Sequence, residues 1–364
     1  MKKYFNLLFI AALIVSCTKN ANEPVFKPTE LTRITDFNEA AFNYFNGATA
    51  SAAGKSFVIS PISISTLLGM ESNTDGGNTA YLTYGFGTVK ESNEFYNKLI
   101  DRYLYKRDGI TASLANAVFE NTAVESGNTD TGALKKYFGA SVHSCDFSKG
   151  QETANQVAAW VKDNAGDKTD IGNLSIDKDA SHLFAGTICF KGEWKSQFKA
   201  SETAMKPFSI SEGNEVSLPT MKQTIKCYYT SSERFESVLL DYGQDSRFAM
   251  RVILPKSGST PTYADWYALN TIGEVTTVSI ELPKFETEFT YAPQVSGLND
   301  AACLHTAKIT VDEKGGDVAA AVSETATKST AVIPVEFIAN KPFYYVITDA
   351  ENRLIYFVGY YNGK

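Results

Sequence analysis

The length, composition and charge of the chain exclude several classes of protein at the outset. Its 364 residues, 43% of them hydrophobic, suffice for one large domain or two modest ones. A formal net charge of −7, with Lys and Arg scattered rather than grouped in stripes, argues against a nucleic-acid partner. The three histidines form no metal-binding pair, and no nucleophile-elbow or phosphate-binding glycine motif is present. We therefore expect no enzyme, no metal and no cofactor.

The N-terminus predicts an exported lipoprotein. A lysine pair at 2–3 precedes an apolar run from Leu7 to Val15, which is too short to span a bilayer because that takes about 20 residues. The run ends in IVSC (Ile14–Cys17), which resembles a bacterial lipobox. Cleavage before Cys17 would leave its thiol to carry lipid. We predict a signal peptide at residues 1–16 and a lipidated N-terminus and linker at residues 17–32.

The residue after the lipidated cysteine bears on location. Thr18 gives no reason for retention in the inner membrane, so we predict an outer-membrane lipoprotein of the cell envelope, on the periplasmic face or the cell surface. Membrane contact is expected only through the lipid anchor. The alternative is an ordinary signal peptide with an incidental Cys17.

Hydrophobic periodicity predicts a mixture of helices and strands along the rest of the chain. Ser60 and Pro61 have the residue types of a helix cap and a first helical turn. The predicted helices are Asp36–Phe45, a helix beginning at Ser60, a short helix before residue 137, and Thr153–Asn164. The predicted strands are Ser113–Glu120, Tyr137–Phe147, Phe184–Phe190, Phe248–Pro255, Val278–Phe285 and His305–Asp312.

The stretch that follows the last of these strands is unusual. Gly315 and Gly316 form a flexible joint, and Asp317 to Thr330 is a run of small residues without a strong turn signal. Read with a period of two, residues 316, 318, 320 and 322 make one small apolar face. This pattern favours a segment that can leave solvent and pair with a sheet, although a low-complexity linker is the alternative from pattern alone.

Separated motifs in this chain resemble those of the serpin family. EKGGDVAAAV (Glu313–Val322), NKPF (Asn340–Phe343) and LIYFVG (Leu354–Gly359) are similar to the family's hinge and C-terminal strands. Four further segments resemble family motifs in the same order: SFVISPISISTLLGM (Ser56–Met70), AWVKDN (Ala159–Asn164), FKGEWKSQF (Phe190–Phe198) and ELPKFETEF (Glu281–Phe289).

The resemblance implies an α+β serpin fold with three β-sheets, surrounding helices and an exposed reactive-centre loop. It implies one serpin domain at residues 33–364, with the loop at about 313–334. The connections at residues 256–277 and 285–304 are shorter than is usual in the family, so we expect some surface helices to be trimmed.

The resemblance also implies the site residues. The scissile bond follows Ser329, before Thr330, or follows Lys328 in a shorter register, and counting back from Asn340 points to the Ala331 side. The family prefers a small hydroxyl residue, glutamate and alanine where this chain has Gly316, Asp317 and Val318. The hinge residues are Glu313, Lys314, Gly315, Gly316, Asp317, Val318, Ala319, Ala320 and Ala321.

The resemblance further implies that four residues help to control the opening of the central sheet. In the family, residues matching Ser60, Ser63 and His305 lie together beneath this sheet, although helix capping explains the two serines equally well. Trp194 is expected to pack where the loop first enters the sheet. Gly186 stands where the family usually has an asparagine, so we expect a sheet that opens easily or is held by something else.

The function implied is inhibition of a serine protease, with a cysteine protease as a further possibility, in a covalent 1:1 complex formed by a monomer. The enzyme cleaves the loop, and the loop then inserts into the sheet before the acyl-enzyme hydrolyses. The alternative is a serpin-like surface binding or structural lipoprotein that no longer traps, since an inward-facing Glu324 would be costly to bury. Cys145, Cys189, Cys227 and Cys303 are expected to be buried thiols, with a disulfide left open.

Overall fold

A computed structural model of the chain describes residues 23–75, 80–125, 127–166, 169, 171, 174–293, 301–314 and 333–364. Within these ranges the chain folds into helices packed around β-sheets. None of the described helices is long and apolar enough to cross a membrane. The α-helices are α1 Pro28–Ala52, α2 Pro61–Glu71, α3 Val89–Tyr103, α4 Thr131–Phe138, α5 Gly150–Ala165 and α6 Tyr263–Thr271.

The described strands form two hydrogen-bonded sheets. The first seven are β1 Phe57–Ile59, β2 Ile110–Asn121, β3 Ser141–Cys145, β4 His182–Gly192, β5 Ala204–Ser211, β6 Asn214–Ser231 and β7 Phe235–Tyr242. The other seven are β8 Phe248–Pro255, β9 Glu274–Pro283, β10 Phe285–Tyr291, β11 Ala301–Val311, β12 Val335–Ile338, β13 Phe343–Asp349 and β14 Ile355–Tyr361.

The larger sheet has the order β1-β14-β13-β8-β7-β6-β9-β12, with β5 paired to β6. Strand β6 is 18 residues long and pairs with β5 and β9 along most of its length and with β7 only at its end. It therefore joins two halves of this sheet. The described strands thus make two networks where the resemblance implies three sheets.

The smaller sheet has the order β10-β11-β4-β2-β3 and carries the candidate site. The side chains of its central strand, β4, alternate between two cores because successive side chains of a strand point to opposite faces. Phe184 and Ile188 pack into the main core with the helix α2, whereas Leu183 and Ala185 pack into a smaller core under α5. Both faces of β4 are therefore buried.

Local sequence signals explain where several helices begin. Ser60 caps α2 by accepting a hydrogen bond from the Ser63 N–H, and Pro61 occupies the first turn. Helix α1 begins at Pro28, so it includes residues 28–32, which the sequence analysis placed in the linker. Thr262 caps α6 through a capping box with Asp265. The short connection before β9 thus holds a nine-residue helix that periodicity did not predict.

Candidate functional site

The site is built around the pairing of β4 with β11, which we call the seam. These two strands are parallel and directly bonded in register, from Ala301 opposite His182 to Ile309 opposite Phe190. The outer neighbours of the seam are antiparallel, because β10 pairs with β11 and β2 pairs with β4 in that sense. The chain leaves β11 at the same end at which β4 finishes. An added strand between β4 and β11 would have to break the seam.

A buried polar group beneath the middle of the seam ties it to α2. The Nε2 atom of His305 accepts a hydrogen bond from the Ser60 N–H at 3.1 Å, and its Nδ1 lies 3.1 Å from the Ser63 Oγ. Because Nε2 accepts, Nδ1 carries the proton and donates to Ser63. Burial lowers the pKa of His305 to about 3, so this imidazole is neutral at ordinary pH. We call Ser60, Ser63, His305 and Asn116 the polar latch.

Asn116 lies near this group on β2, two strands from His305, and is opposite Gly186 in the register of β2 with β4. Its Nδ2 donates to the Phe138 carbonyl at 2.9 Å. Its Oδ1 lies 3.5 Å from the position that a Cβ on residue 186 would take, which is an ordinary van der Waals contact. A Cβ at Gly186 would also come within 2.8 Å of the Ser63 Oγ. A side chain at residue 186 would therefore displace the Ser63 hydroxyl, and the Asn116 amide, whose buried Oδ1 has no hydrogen-bond partner among the described residues, lies beside this position on the next strand.

The loop-side end of the seam is held by a tryptophan. Trp194 stacks on Tyr242 with ring centroids 4.2 Å apart, and it is almost fully buried. Its Nε1–H donates to the Asp312 carbonyl at 2.8 Å, and its backbone N–H donates to the Lys314 carbonyl at 3.0 Å. We call Trp194 and Tyr242, with the backbone of residues 312–314, the tryptophan clasp. It fixes the chain where the strand β11 gives way to the loop.

Glu313 is fixed from both its backbone and its side chain. Its carbonyl accepts from the Phe198 N–H at 2.9 Å, and its carboxylate lies 2.6 Å from the Lys284 ammonium and 2.9 Å from the Thr203 hydroxyl. Burial raises the pKa of the Glu313 carboxyl, but the bonds from Lys284, the backbone and Thr203 outweigh it and leave the pKa below its ordinary value. This glutamate is therefore ionised and paired at the base of the loop.

Helix α5 covers the outer face of the seam. Val157 and Val161 of this helix are buried in the smaller core with Leu183 and Ala185 of β4 and Leu304 of β11. The helix thus contacts both strands that a new strand would have to separate. Opening of the seam requires some movement of α5 or of its side chains.

Comparison with known proteins gives this geometry a family. The family model described as "Serpin (serine protease inhibitor)" matches residues 35–301 and 294–363. The chain belongs to the serpin family. The family is described as one of protease inhibitors and not of catalytic enzymes.

Relatives of this serpin cover most of its length. It is 26% identical to a probable non-inhibitory serpin-Z5 of Arabidopsis thaliana, over 87% of this chain and 81% of that protein. It is 24% identical to neuroserpin of Homo sapiens, over 88% and 89% of the two chains. Among solved structures, the native state of tengpin, a thermophilic serpin, matches with a TM-score of 0.76 at 19% identity, over 94% of this chain and 96% of that one. The α+β serpin fold is thus confirmed.

The structure brings some predicted site residues of this serpin together. Ser60, Ser63 and His305 are in contact beneath the seam, and Trp194 lies against residues 312–314 at the base of the loop. Their roles in sheet opening stay predictions. The remaining hinge positions Gly315–Ala321, the bond candidates Lys328, Ser329, Thr330 and Ala331, and also Glu324 and Cys17, lie outside the described residues.

Four cysteines of this serpin are free thiols in the structure. Cys145, Cys227 and Cys303 are buried, and Cys189 is partly exposed. Burial raises the pKa of the Cys227 thiol to about 11 and that of Cys303 to about 12. These thiols are therefore protonated and unreactive at neutral pH. Within the described residues no group of three metal-ligating side chains occurs.

Sequence reasoning missed two members of the site. Asn116 is the one polar residue of the segment LANAVF (Leu114–Phe119), and its place on the core face of the strand was the available signal. Tyr242 ends a strand that periodicity did not pick out, and its contact with Trp194 spans 48 positions of the chain. Pairings between distant strands of this kind are not readable from local pattern.

Proposed function

We propose that this serpin inhibits serine proteases by suicide-substrate trapping and that it acts as an outer-membrane lipoprotein. The observation that carries the proposal is the seam, in which β11, the strand that leads into the loop, pairs directly with β4. Chain direction alone dictates the outcome of insertion. A loop that turns back behind β11 runs antiparallel both to β11 and to β4.

Insertion changes the kind of pairing in the sheet. It replaces one parallel interface by two antiparallel interfaces, and antiparallel pairing is slightly more stable per residue. It also buries Val318, Ala320 and Val322 of the apolar loop face against neighbouring strands or helices. The uninserted form is therefore held by a kinetic barrier rather than by the lowest free energy. Cleavage of the loop frees its hinge half to cross that barrier.

We attribute the barrier to contacts at the base of the loop and along the seam. The tryptophan clasp and Phe198 hold the carbonyls of residues 312–314, and the polar latch holds the middle of the seam. These contacts must break in order from the loop end inward, because the loop is attached at that end. Inhibition is then a race between insertion and hydrolysis of the acyl-enzyme.

The direct test is formation of a covalent complex. A trypsin-like and an elastase-like enzyme would each be incubated with the serpin and separated on a denaturing gel. We expect a band at the summed mass that survives denaturation, and mass spectrometry of the released fragment identifies the bond after Lys328, Ser329 or Ala331. Clean cleavage of the loop by every serine and cysteine protease tried, with no complex, would contradict trapping.

A non-trapping surface or structural role is the second candidate. Two observations favour it: Glu324 falls on the inward face if the alternation of the loop continues, and one relative is named a probable non-inhibitory serpin. An unpaired buried carboxylate costs several kcal/mol. Replacement of Glu324 by Leu is therefore expected to raise the melting temperature of the cleaved form, and an unchanged value would mean that Glu324 stays outside the sheet.

A further inference from the structure

The first described residues of the chain are bound to the body by a group of arginines. Glu23 makes ion pairs with Arg107 at 2.5 Å, with Arg247 at 3.0 Å and with Arg102 at 3.1 Å. The guanidinium groups of Arg102 and Arg107 are almost fully buried, with 1% and 3% of their side chains exposed. Removal of Glu23 would leave buried guanidinium charge with one carboxylate fewer, and loss of a partner from a buried group costs more than loss of a surface ion pair.

Neighbouring residues extend this attachment. The carbonyl of Pro24 accepts a hydrogen bond from the Arg102 Nη1 at 2.6 Å, and the ring of Phe26 is buried against Phe95 and under the Arg102 guanidinium. We call Glu23, Pro24 and Phe26, with Arg102, Arg107 and Arg247, the N-terminal clamp. Coming from the N-terminus, the chain is therefore attached to the body from Glu23 onward, before the first helix begins.

The clamp lies at the loop-bearing end of the smaller sheet. Arg107 stands two residues before Gly109, whose carbonyl accepts from the Glu193 N–H at 2.6 Å. The next residue after Glu193 is Trp194, which holds the Lys314 carbonyl at the base of the loop. The point where the chain leaves the body toward its N-terminus and the point where the loop leaves it thus both lie at this end of the smaller sheet.

The distance from the lipid to this end is limited by chain length. Six residue steps separate Cys17 from Glu23, and at most about 3.3–3.6 Å per step gives a reach of about 20 Å. A protease of trypsin size, with a radius of gyration of about 17 Å, is about 45 Å across. The reach is therefore shorter than the diameter of such an enzyme.

We propose that the N-terminal clamp turns the loop-bearing end of the anchored protein toward the membrane and selects proteases that work at the membrane surface over those free in solution. The proposal rests on the lipidation and trapping proposed above. An enzyme held at the same membrane meets the loop from the side. A free enzyme of trypsin size is hindered by the bilayer.

The orientation can be measured without any protease. Two exposed lysines mark the two ends of β4, Lys178 just before the strand and Lys195 just after it, and the strand between them spans about 36 Å. The lipidated variants K178C and K195C would each carry a fluorescent donor and be bound to phosphatidylethanolamine–phosphatidylglycerol vesicles with an acceptor lipid. The unsubstituted protein treated with the same dye measures labelling of its own thiols.

We expect strong energy transfer from position 195 and weak transfer from position 178. A clamp variant, E23K/F26A, places an ammonium group beside three arginines and removes the buried Phe26 ring, which frees the chain back to Pro28 and raises the reach to about 40 Å. It should reduce the difference between the two positions by half or more. The matched control is E30K, which breaks the pair of Glu30 with Lys98 on the same segment without contacting the clamp.

The functional consequence is a rate difference. The vesicle-bound protein should inhibit soluble trypsin at least tenfold more slowly than the C17A variant in solution, and a 20-residue Gly-Ser insertion after Thr18 should remove the difference. Equal transfer from both positions, or stronger transfer from position 178, overturns the proposal. Failure of lipidation shows separately as loss of vesicle flotation, and failure of trapping shows as no complex with C17A in solution.

Discussion

The polar latch and the tryptophan clasp hold the same seam in different ways. The latch lies in the middle and consists of neutral polar groups that are fully buried, with His305 bonded on both ring nitrogens. The clasp lies at the loop end and consists of a stacked aromatic pair and hydrogen bonds to the backbone of residues 312–314. The latch therefore depends on an ionisable ring, whereas the clasp depends on aromatic stacking and on hydrogen bonds to the backbone.

This difference separates two properties of the seam. The clasp lies where insertion begins, so it should control how often the loop enters. The latch lies further along, so it should control whether a strand that has entered continues. Changes at the clasp are therefore expected to alter the rate of spontaneous insertion, and changes at the latch to alter stability and its dependence on pH.

The largest effect is expected from loss of the clasp. Trp194→Ala removes a buried indole and its bond to the Asp312 carbonyl, and a change of this kind costs about 3–5 kcal/mol of unfolding free energy. It should also speed conversion of the intact protein to a heat-resistant, loop-inserted form, measured by thermal melts after incubation at 37 °C.

The matched control for that variant is Trp266→Ala. Trp266 is also buried, but it packs on Tyr263 and Phe42 in the helices, away from the seam. It should lower stability by a similar amount without speeding the conversion. Equal conversion rates in both variants would show that the clasp does not guard the seam.

The next effect is expected at Gly186. A Cβ here comes within 2.8 Å of the Ser63 Oγ, so Gly186→Ala should push Ser63 off His305 and cost about 1–3 kcal/mol of unfolding free energy. Gly47→Ala is the control, because a Cβ there meets nothing within 4 Å and lies in a helix. Denaturant unfolding of both variants measures the difference in unfolding free energy. Equal stability of the two variants would show that residue 186 can carry a side chain without disturbing Ser63.

The latch should also make stability depend on pH. The pKa of His305 is about 3 in the folded chain and about 6.5 when unfolded, so the unfolded state binds the proton more readily. The contribution is fully present above about pH 6.5 and is lost as pH falls toward 3, by at most about 1.4 kcal/mol per pH unit. His305→Gln keeps hydrogen-bonding groups but cannot titrate. The free energy of unfolding of this variant should therefore fall less steeply as the pH is lowered from 6.5 toward 3. An unchanged slope would assign the effect to other groups.

The smallest effect is expected at Glu313. Its partner Lys284 is 35% exposed, so Glu313→Gln should cost less than about 1 kcal/mol. Because the pKa of this carboxyl is lowered, its contribution is present above the unfolded pKa and lost as pH falls through the folded one. Glu286→Gln, at a more exposed pair with Lys308, is the control. Denaturant midpoints at pH 7 measure both, and a loss of 2 kcal/mol or more at Glu313 would contradict the screening argument.

The sequence predicted those parts of the site that have a local pattern. Alternation identified the strand from His305, and the Ser60–Pro61 pair identified the start of α2. The strand in fact begins at Ala301. The prediction missed residues 301–304 because all four are small or apolar, so they show no alternation of polar and apolar side chains. Helix α6 was missed because only Trp266 and Leu269 of its residues are buried.

Contacts between distant segments were beyond sequence reasoning. Asn116 lies beside Gly186 only because β2 and β4 pair in one particular register. Likewise, Glu23 meets Arg102 and Arg107 from one part of the chain and Arg247 from another. Nothing in the spacing of these residues indicates that they meet.

The most direct measurement is the melting temperature of this serpin before and after one cut in the loop between residues 328 and 332. The account predicts that the cut chain, with both fragments still associated, melts well above the intact chain, because the freed hinge half then opens the seam and pairs with β4 and β11. An unchanged or lower melting temperature would contradict it.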